Sequence, residues 1–240
     1  MELGNVTVSE YKGYPRFDFE YNGHKGIVIV PRQPRADRKW VWRTEFLGAF
    51  DSVDVEMLNR GFYLAHYEIH DMYGCPASVE LMDGFYRLLA EQFGLAKKTL
   101  LFGFSRGGLY AFNFAAAYPD RAAALYLDAP VLDLHTWPTS YPREFAECVA
   151  LYGHTKESFA DFHDSPVDHM DVVATAGIPV ALVMGDADEV VPYDKNGMKL
   201  AEVYRKAGLP LLCVVKPGCG HHPHSLLDPT CVVNFLLENC

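Results

Sequence analysis

The sequence predicts an α/β protein built on a mostly parallel sheet, and three observations predict it. Short apolar or β-branched runs alternate with segments of helical periodicity along most of the chain. Several of those runs, among them KGIVIVP, TLLFGF and IPVALVMGD, are apolar without alternation, as strands covered on both faces must be. The helical segments between them are long enough to carry the chain back to a parallel neighbour.

Each element follows in order. VTVSEY and PRFDFEYNG alternate apolar and polar side chains, with Asn22-Gly23 as a turn signal, and predict an antiparallel edge. KGIVIVP, stopped by Pro31, predicts the first buried strand. The polar stretch RQPRADRK reads as a loop that leads into an aromatic cluster, WVWR, at 40–43. EFLGAFDSVDVEMLNRG (45–61) predicts a helix closed by Gly61, FYLAHYEI a strand and HDMYGCP a loop. In SVELMDGFYRLLAEQFG, Leu81, Phe85, Leu88 and Leu89 recur at helical spacing and Gly94 caps the end. TLLFGF is a strand, RGGLYAFNFAAAYP a helix ended by Pro119, and AAALYLDAP a strand. From about 131 to 170 the alternation stops. That stretch is aromatic, rich in His and Pro, and predicts an excursion over one end of the sheet with a short helix near 143–151. IPVALVMGD, DKNGMKLAEVYRKAG and LLCVVKPG then read as strand, helix and strand, and a final helix covers 226–237.

The 240 residues carry a formal net charge of -10, from 21 Lys+Arg against 31 Asp+Glu, and half are hydrophobic. Such a chain builds a substantial core as one domain over 1–240 and is not disordered. Its acidic balance, with no basic stripe, speaks against a nucleic-acid partner. No uninterrupted apolar run is long enough to span a bilayer, so no membrane partner is expected. MELGNVTVSEYKG lacks a basic stretch followed by an apolar one. That fits a cytoplasmic protein, or a secreted or periplasmic one without its leader. A homo-oligomer stays open. The six cysteines form no CxxC pair and are expected to be mostly reduced, with Cys219 and Cys231 the best-placed exception.

Open parallel sheets collect ligands at the carboxyl ends of their strands, so reactive residues must lie just past them. Ser105 directly follows TLLFGF, between Gly103 and Gly107. Glycines there let strand and helix backbones approach, and a serine so placed is either inert in a tight turn or held up as a nucleophile. The helix beginning near Arg106 aims unpaired N–H groups at the same point, where they can receive an oxyanion. Asp186 and Asp188 follow PVALVMG. A serine hydroxyl needs a base, and the base needs an acid to fix its tautomer; Asp188 is placed for that, and each aspartate could instead cap its loop. After the last predicted strand come His221, His222 and His224. His221 is the first choice of base. A His-rich tract also invites a metal, but no HExxH and no cysteine pair accompanies it. No metal and no organic cofactor is therefore expected.

With GFSRGG (103–108), GDADEVVP (185–192) and PGCGH (217–221), the chain resembles the α/β-hydrolase superfamily over nearly its whole length, from IVIVP to the last helix. It looks most like bacterial serine esterases related to carbohydrate esterases and to the prolyl oligopeptidase-type catalytic domain. The resemblance implies an α/β-hydrolase fold with helices on both faces of the sheet, Ser105 as nucleophile, Asp188 as acid, His221 as base and Asp186 as structural. It also implies a small cap over the pocket at about 131–170. The oxyanion loop of the superfamily often carries His-Gly or Gly-Gly. Here the corresponding region is taken as PRQPRADRKWVWRTEF, which has no glycine. The N–H of Arg106 is the firm oxyanion donor, and Arg32, Trp42 and Arg43 are candidates for the second, with Trp42 preferred. The Arg106 guanidinium is expected to pair with Asp71 or Glu45 and orient a loop, or else to face the substrate.

These residues imply acyl transfer to water through an acyl-enzyme. Trp40, Trp42, Tyr73, Trp137 and Tyr141 are expected in loops near the strand ends, where they offer aromatic faces for sugar rings or phenolic acyl groups, and Arg32, Arg43 and Arg106 offer cations for a carboxylate. A carbohydrate ester, or another small-molecule ester, is the expected substrate. A catalytically inactive binding protein, a small serine peptidase, and thiol or metal chemistry at Cys219 are the competing readings.

Overall fold

The computed structural model describes residues 4–240. Its nine strands form one sheet in the order β1-β2-β3-β5-β4-β6-β7-β8-β9. These are β1 (Gly4–Tyr11), β2 (Tyr14–Tyr21), β3 (His24–Ile29), β4 (Trp40–Arg43), β5 (Tyr63–Tyr67), β6 (Thr99–Phe104), β7 (Ala122–Asp128), β8 (Val180–Gly185) and β9 (Leu211–Lys216). The alternating opening segments make antiparallel pairs, and β3 is also antiparallel to β5. From β5 through β4 to β9 every pair is parallel. The non-alternating runs occupy this parallel part, where both faces are covered.

Among the described residues six α-helices lie between strands, α1 (Ser52–Asn59), α2 (Pro76–Arg87), α3 (Gly107–Ala117), α4 (Pro142–Leu151), α5 (Met170–Thr175) and α6 (Gly197–Ala207), and α7 (Thr230–Glu238) follows the last strand. Residues Leu88–Gln92 add a wider π-turn to the end of α2. Side chains of one strand point alternately to the two faces, so the sheet divides the core in two. Leu101 joins Phe85, Leu109 and Leu200 on the face of α2, α3 and α6. Phe102 joins Val53, Met57 and Val232 on the face of α1 and α7. This is the α/β-hydrolase fold expected from the sequence. Among the described residues no helix is long and apolar enough to cross a membrane, and all six cysteines are free, Cys219 and Cys231 included.

Three elements depart from the sequence reading. WVWR is not a loop cluster but the central strand β4, hydrogen-bonded on one side to β5 and on the other to β6. The helix expected over 45–61 forms only from Ser52. Ahead of it, Phe46, Gly48 and Phe50 have φ of 57°, 90° and 50°, and the carbonyls of Glu45 and Ala49 accept from the buried Arg43 guanidinium, which a helix would not allow. The last helix starts at Thr230, after Pro229, rather than at 226.

Candidate active site

Ser105 stands at the junction of β6 and α3 with φ 49°. A non-glycine residue there is strained by about 1–3 kcal/mol and persists only when its surroundings fix it. Three hydrogen bonds do so: the Ser105 N–H donates to Asp128 O at 2.9 Å, and the Ser105 carbonyl accepts from Gly108 and Val131, each at 2.9 Å. Gly103 makes the corner possible, because a Cβ there would lie 2.8 Å from Gly107 O and 2.9 Å from the Gly108 Cα.

Asp188 follows β8 and is 7% exposed. Its Oδ1 accepts from the N–H groups of Val190 and Val191 at 2.9 and 2.8 Å, and its Oδ2 faces His221 Nδ1 at 2.7 Å. Burial opposes ionisation of this carboxyl. The hydrogen bond from His221, the two backbone donors and the nearby imidazole outweigh it and hold Asp188 below its ordinary range. A carboxylate only accepts, so His221 Nδ1 carries the hydrogen and Nε2 keeps its lone pair. That lone pair faces Ser105 Oγ at 2.9 Å.

The loop after β9 is held in place by its neighbours. Ala187 N–H donates to Cys219 O at 3.0 Å, and Gly218 N–H donates to Asp186 Oδ1 at 2.6 Å. A Cβ on Gly185 would lie 2.1 Å from Cys219 O; only glycine lets the histidine loop rest on the end of β8. Three residues past His221, His224 Nδ1 meets the buried Asp128 Oδ1 at 2.8 Å, and Ser225 N–H donates to Asp128 Oδ2 at 2.8 Å. His222 is exposed, stacked 5.8 Å from Phe50. Burial and the adjacent imidazoles lower its pKa. One nitrogen from each of the three histidines lies within 4.8 Å of the others. Both nitrogens of His221 are already engaged, so the set offers a metal no free third ligand.

A cavity of about 170 Å³ opens beside Ser105, walled by Phe46, Ala49, Phe50, Phe104 and His222. Arg106 N–H and Gly107 N–H, in the first turn of α3, donate to no backbone carbonyl among the described residues. The Arg106 side chain turns aside to Asp71 at 2.6 Å and Glu45 at 3.4 Å, so both expected partners hold it.

Several expected site residues lie elsewhere. Trp42 is no oxyanion donor: it sits inside the sheet opposite Ala65 on one side and Leu101 on the other, 1% exposed. The loop that reaches Ser105 follows β4 instead, and there neither Glu45 nor Phe46 N–H donates to a backbone carbonyl. Trp40 is fully buried, stacked on Trp42 at 5.6 Å with its indole N–H on Ala96 O, so it offers no face to a substrate. Arg43 is fully buried in a 2.7 Å ion pair with Asp54 and donates to Glu45 O and Ala49 O. Its charge is spent on the loop, not offered to a carboxylate. Tyr73 is buried with its hydroxyl on Glu147, and its ring supports the half-buried Trp137 at 5.9 Å. Asp128 escaped the sequence reading, although its position at the end of a strand met the same test as Ser105 and Asp188.

A strained serine on a strand–helix turn, an imidazole at 2.9 Å and a carboxylate at 2.7 Å behind it define a serine-hydrolase domain of the α/β-hydrolase superfamily. More narrowly, the chain belongs to the prolyl oligopeptidase family, whose family model matches residues 66–230. It is similar in structure to dipeptidyl peptidase 4 of Porphyromonas gingivalis, with a TM-score of 0.71 at 14% identity, covering 98% of this chain and 35% of that one. A puromycin hydrolase gives a TM-score of 0.65 at 20% identity over 98% of this chain and 38% of that one. An S-formylglutathione hydrolase from Agrobacterium tumefaciens gives 0.64 at 15% identity over 98% and 96%. In sequence it is 29% identical over 134 residues to a Bacillus subtilis (strain 168) protein provisionally named a 2-succinyl-6-hydroxy-2,4-cyclohexadiene-1-carboxylate synthase; the match takes in 55% of this chain and 46% of that protein. The chain thus spans less than half the length of that relative and of the two larger structures.

Proposed function

We propose that this domain hydrolyses carboxylic esters of small acyl groups through an acyl-enzyme on Ser105. The observation behind this reading is the continuous chain from Ser105 Oγ to His221 Nε2 at 2.9 Å and from His221 Nδ1 to Asp188 at 2.7 Å. In the first half-reaction Ser105 Oγ attacks the ester carbonyl while His221 Nε2 takes the hydroxyl proton. Asp188 stays ionised and steadies the imidazolium. The oxyanion is received by the N–H of Arg106 and by an N–H of the loop after β4. Phe46 is the better second donor, because it lines the cavity and its N–H has no backbone acceptor. His221 then gives the proton to the leaving alcohol. Water, deprotonated by the same imidazole, releases the acid and restores Ser105. Losing one oxyanion donor raises the barrier by about 3 kcal/mol.

The cavity of about 170 Å³ and its aromatic walls favour a short acyl group over a long one. For the alcohol part, a carbohydrate or other small-molecule ester is the leading choice, with Trp137 as the remaining aromatic face. The segment at about 131–170 acts as a cap on a single domain in this reading. It begins with Val131, whose N–H bonds the Ser105 carbonyl, and Trp137 rests on Tyr73. The family's name favours a second reading, cleavage of a peptide bond.

The test is a substrate panel: nitrophenyl acetate, butyrate and octanoate, acetylated and feruloylated sugars, and an aminoacyl-proline anilide. Turnover of acetate over octanoate, absent in Ser105→Ala, is the expected result. Anilide turnover rivalling that of the esters would move the assignment to a peptidase.

A further inference from the structure

We propose that His66, Glu68 and His70 form a binding site for one divalent cation of the zinc type, separate from the Ser105 triad. The three residues stand at the end of β5 and in the extended chain after it, where Glu68 N–H still bonds Lys25 O on β3. In extended chain every second side chain shares a face. Tyr67 and Ile69 accordingly enter the core, and His66, Glu68 and His70 line a separate cavity of about 440 Å³ together with Glu45 and Asp71. One ligand atom from each of the three lies within 4.8 Å of the other two.

The second observation is how the two imidazoles are held. His66 is 2% exposed, and its Nδ1 faces Arg43 O at 2.7 Å. A carbonyl oxygen only accepts, so the hydrogen is on Nδ1 and the Nε2 lone pair is free. His70 Nδ1 faces Glu45 Oε2 at 3.1 Å, which fixes the same tautomer. An outer carbonyl or carboxylate on one ring nitrogen, with the other left open, is the arrangement that orients histidines toward metals. Two imidazoles and one carboxylate suit zinc, cobalt or nickel rather than calcium or magnesium.

Ligand atoms around a tetrahedral zinc stand about 3.4 Å apart, so donors that lie within 4.8 Å of one another draw in by at most about 1.4 Å to hold one. His66 is fixed. The side chains of His70 and Glu68 are 43% and 30% exposed and have room to move. Lys25, now 3.2 Å from Glu68 Oε2, would give way to the ion. Glu45 also pairs with Arg106, which places the ion one residue removed from the residue after Ser105.

The test uses metal-stripped protein with accessible thiols alkylated, so that Cys231 and its neighbours take no metal. Cobalt(II) is added and read by its visible absorption, then displaced by zinc in a calorimeter. Because His66→Ala removes a buried side chain and endangers folding, Glu68→Gln and His70→Ala are the informative variants, with circular dichroism to confirm their fold. The expected result is one ion per chain, weakened at least about tenfold by each variant and unchanged by His222→Ala. Three results would overturn the proposal: no stoichiometric ion on the native protein, native affinity in either variant, or loss of the ion in His222→Ala, which would put it beside the triad.

Discussion

The loop after β9 carries two histidine–aspartate pairs that look alike and stand three residues apart. His221 meets Asp188 at 2.7 Å, and His224 meets Asp128 at 2.8 Å, each through Nδ1. Each carboxylate also accepts from backbone N–H: Val190 and Val191 in one case, Ser225 in the other. What separates them is the far nitrogen. That of His221 faces Ser105 Oγ, while the His224 ring packs between Phe50 and Phe104. A His–Asp bond is therefore not a catalytic signature by itself. The chemistry needs the third partner, and here the second pair anchors the loop that delivers the first.

Variants can break that comparison. Ser105→Ala and His221→Ala give the largest effect, a loss of about 10⁴-fold or more in kcat on any ester the protein turns over. Asp188→Asn follows, with a loss of about 10⁴-fold, because the amide favours the wrong imidazole tautomer. Asp128→Asn separates the two pairs: kcat/KM stays within about tenfold of native, while urea unfolding shows a loss of about 1–3 kcal/mol, the cost of disturbing a buried acceptor. Equal activity losses for the two aspartates would erase the distinction drawn here.

The smallest effect is on pH. Asp188 is held below the ordinary carboxylate range in the folded protein. Its contribution to stability is fully present above the unfolded value of about 3.9 and is lost as pH falls through the folded one. The stability gap between native protein and Asp188→Asn, read from urea midpoints, should thus narrow between pH 5.5 and pH 3. A gap of constant width would count against the ionised pairing.

The same contrast explains what could be read from the sequence. Ser105 follows its strand at once, and Asp188 and His221 come three and five residues past the ends of theirs, so strand ends alone found them. The relation of His224 to Asp128 spans 96 residues and leaves no local mark. β4 was hidden for another reason. Four residues buried on every side show no alternation, and one of them, Arg43, is neutralised by Asp54 eleven positions later. An aromatic cluster ending in arginine looks like a surface loop until its partner is known, and misplacing the strand also misplaced the loop after it, where we propose the second oxyanion donor. The stretch 45–51 has helical composition, yet Arg43 takes its carbonyls and dictates a loop.

The central claim is that Ser105 is an activated nucleophile. Intact-mass labelling with a fluorophosphonate probe tests it most directly, on the native chain and on Ser105→Ala, His221→Ala and His224→Ala. The account predicts one adduct that is absent in Ser105→Ala, slowed sharply in His221→Ala and near the native rate in His224→Ala. A folded protein that takes no adduct, or one whose labelling depends on His224 as much as on His221, would contradict it.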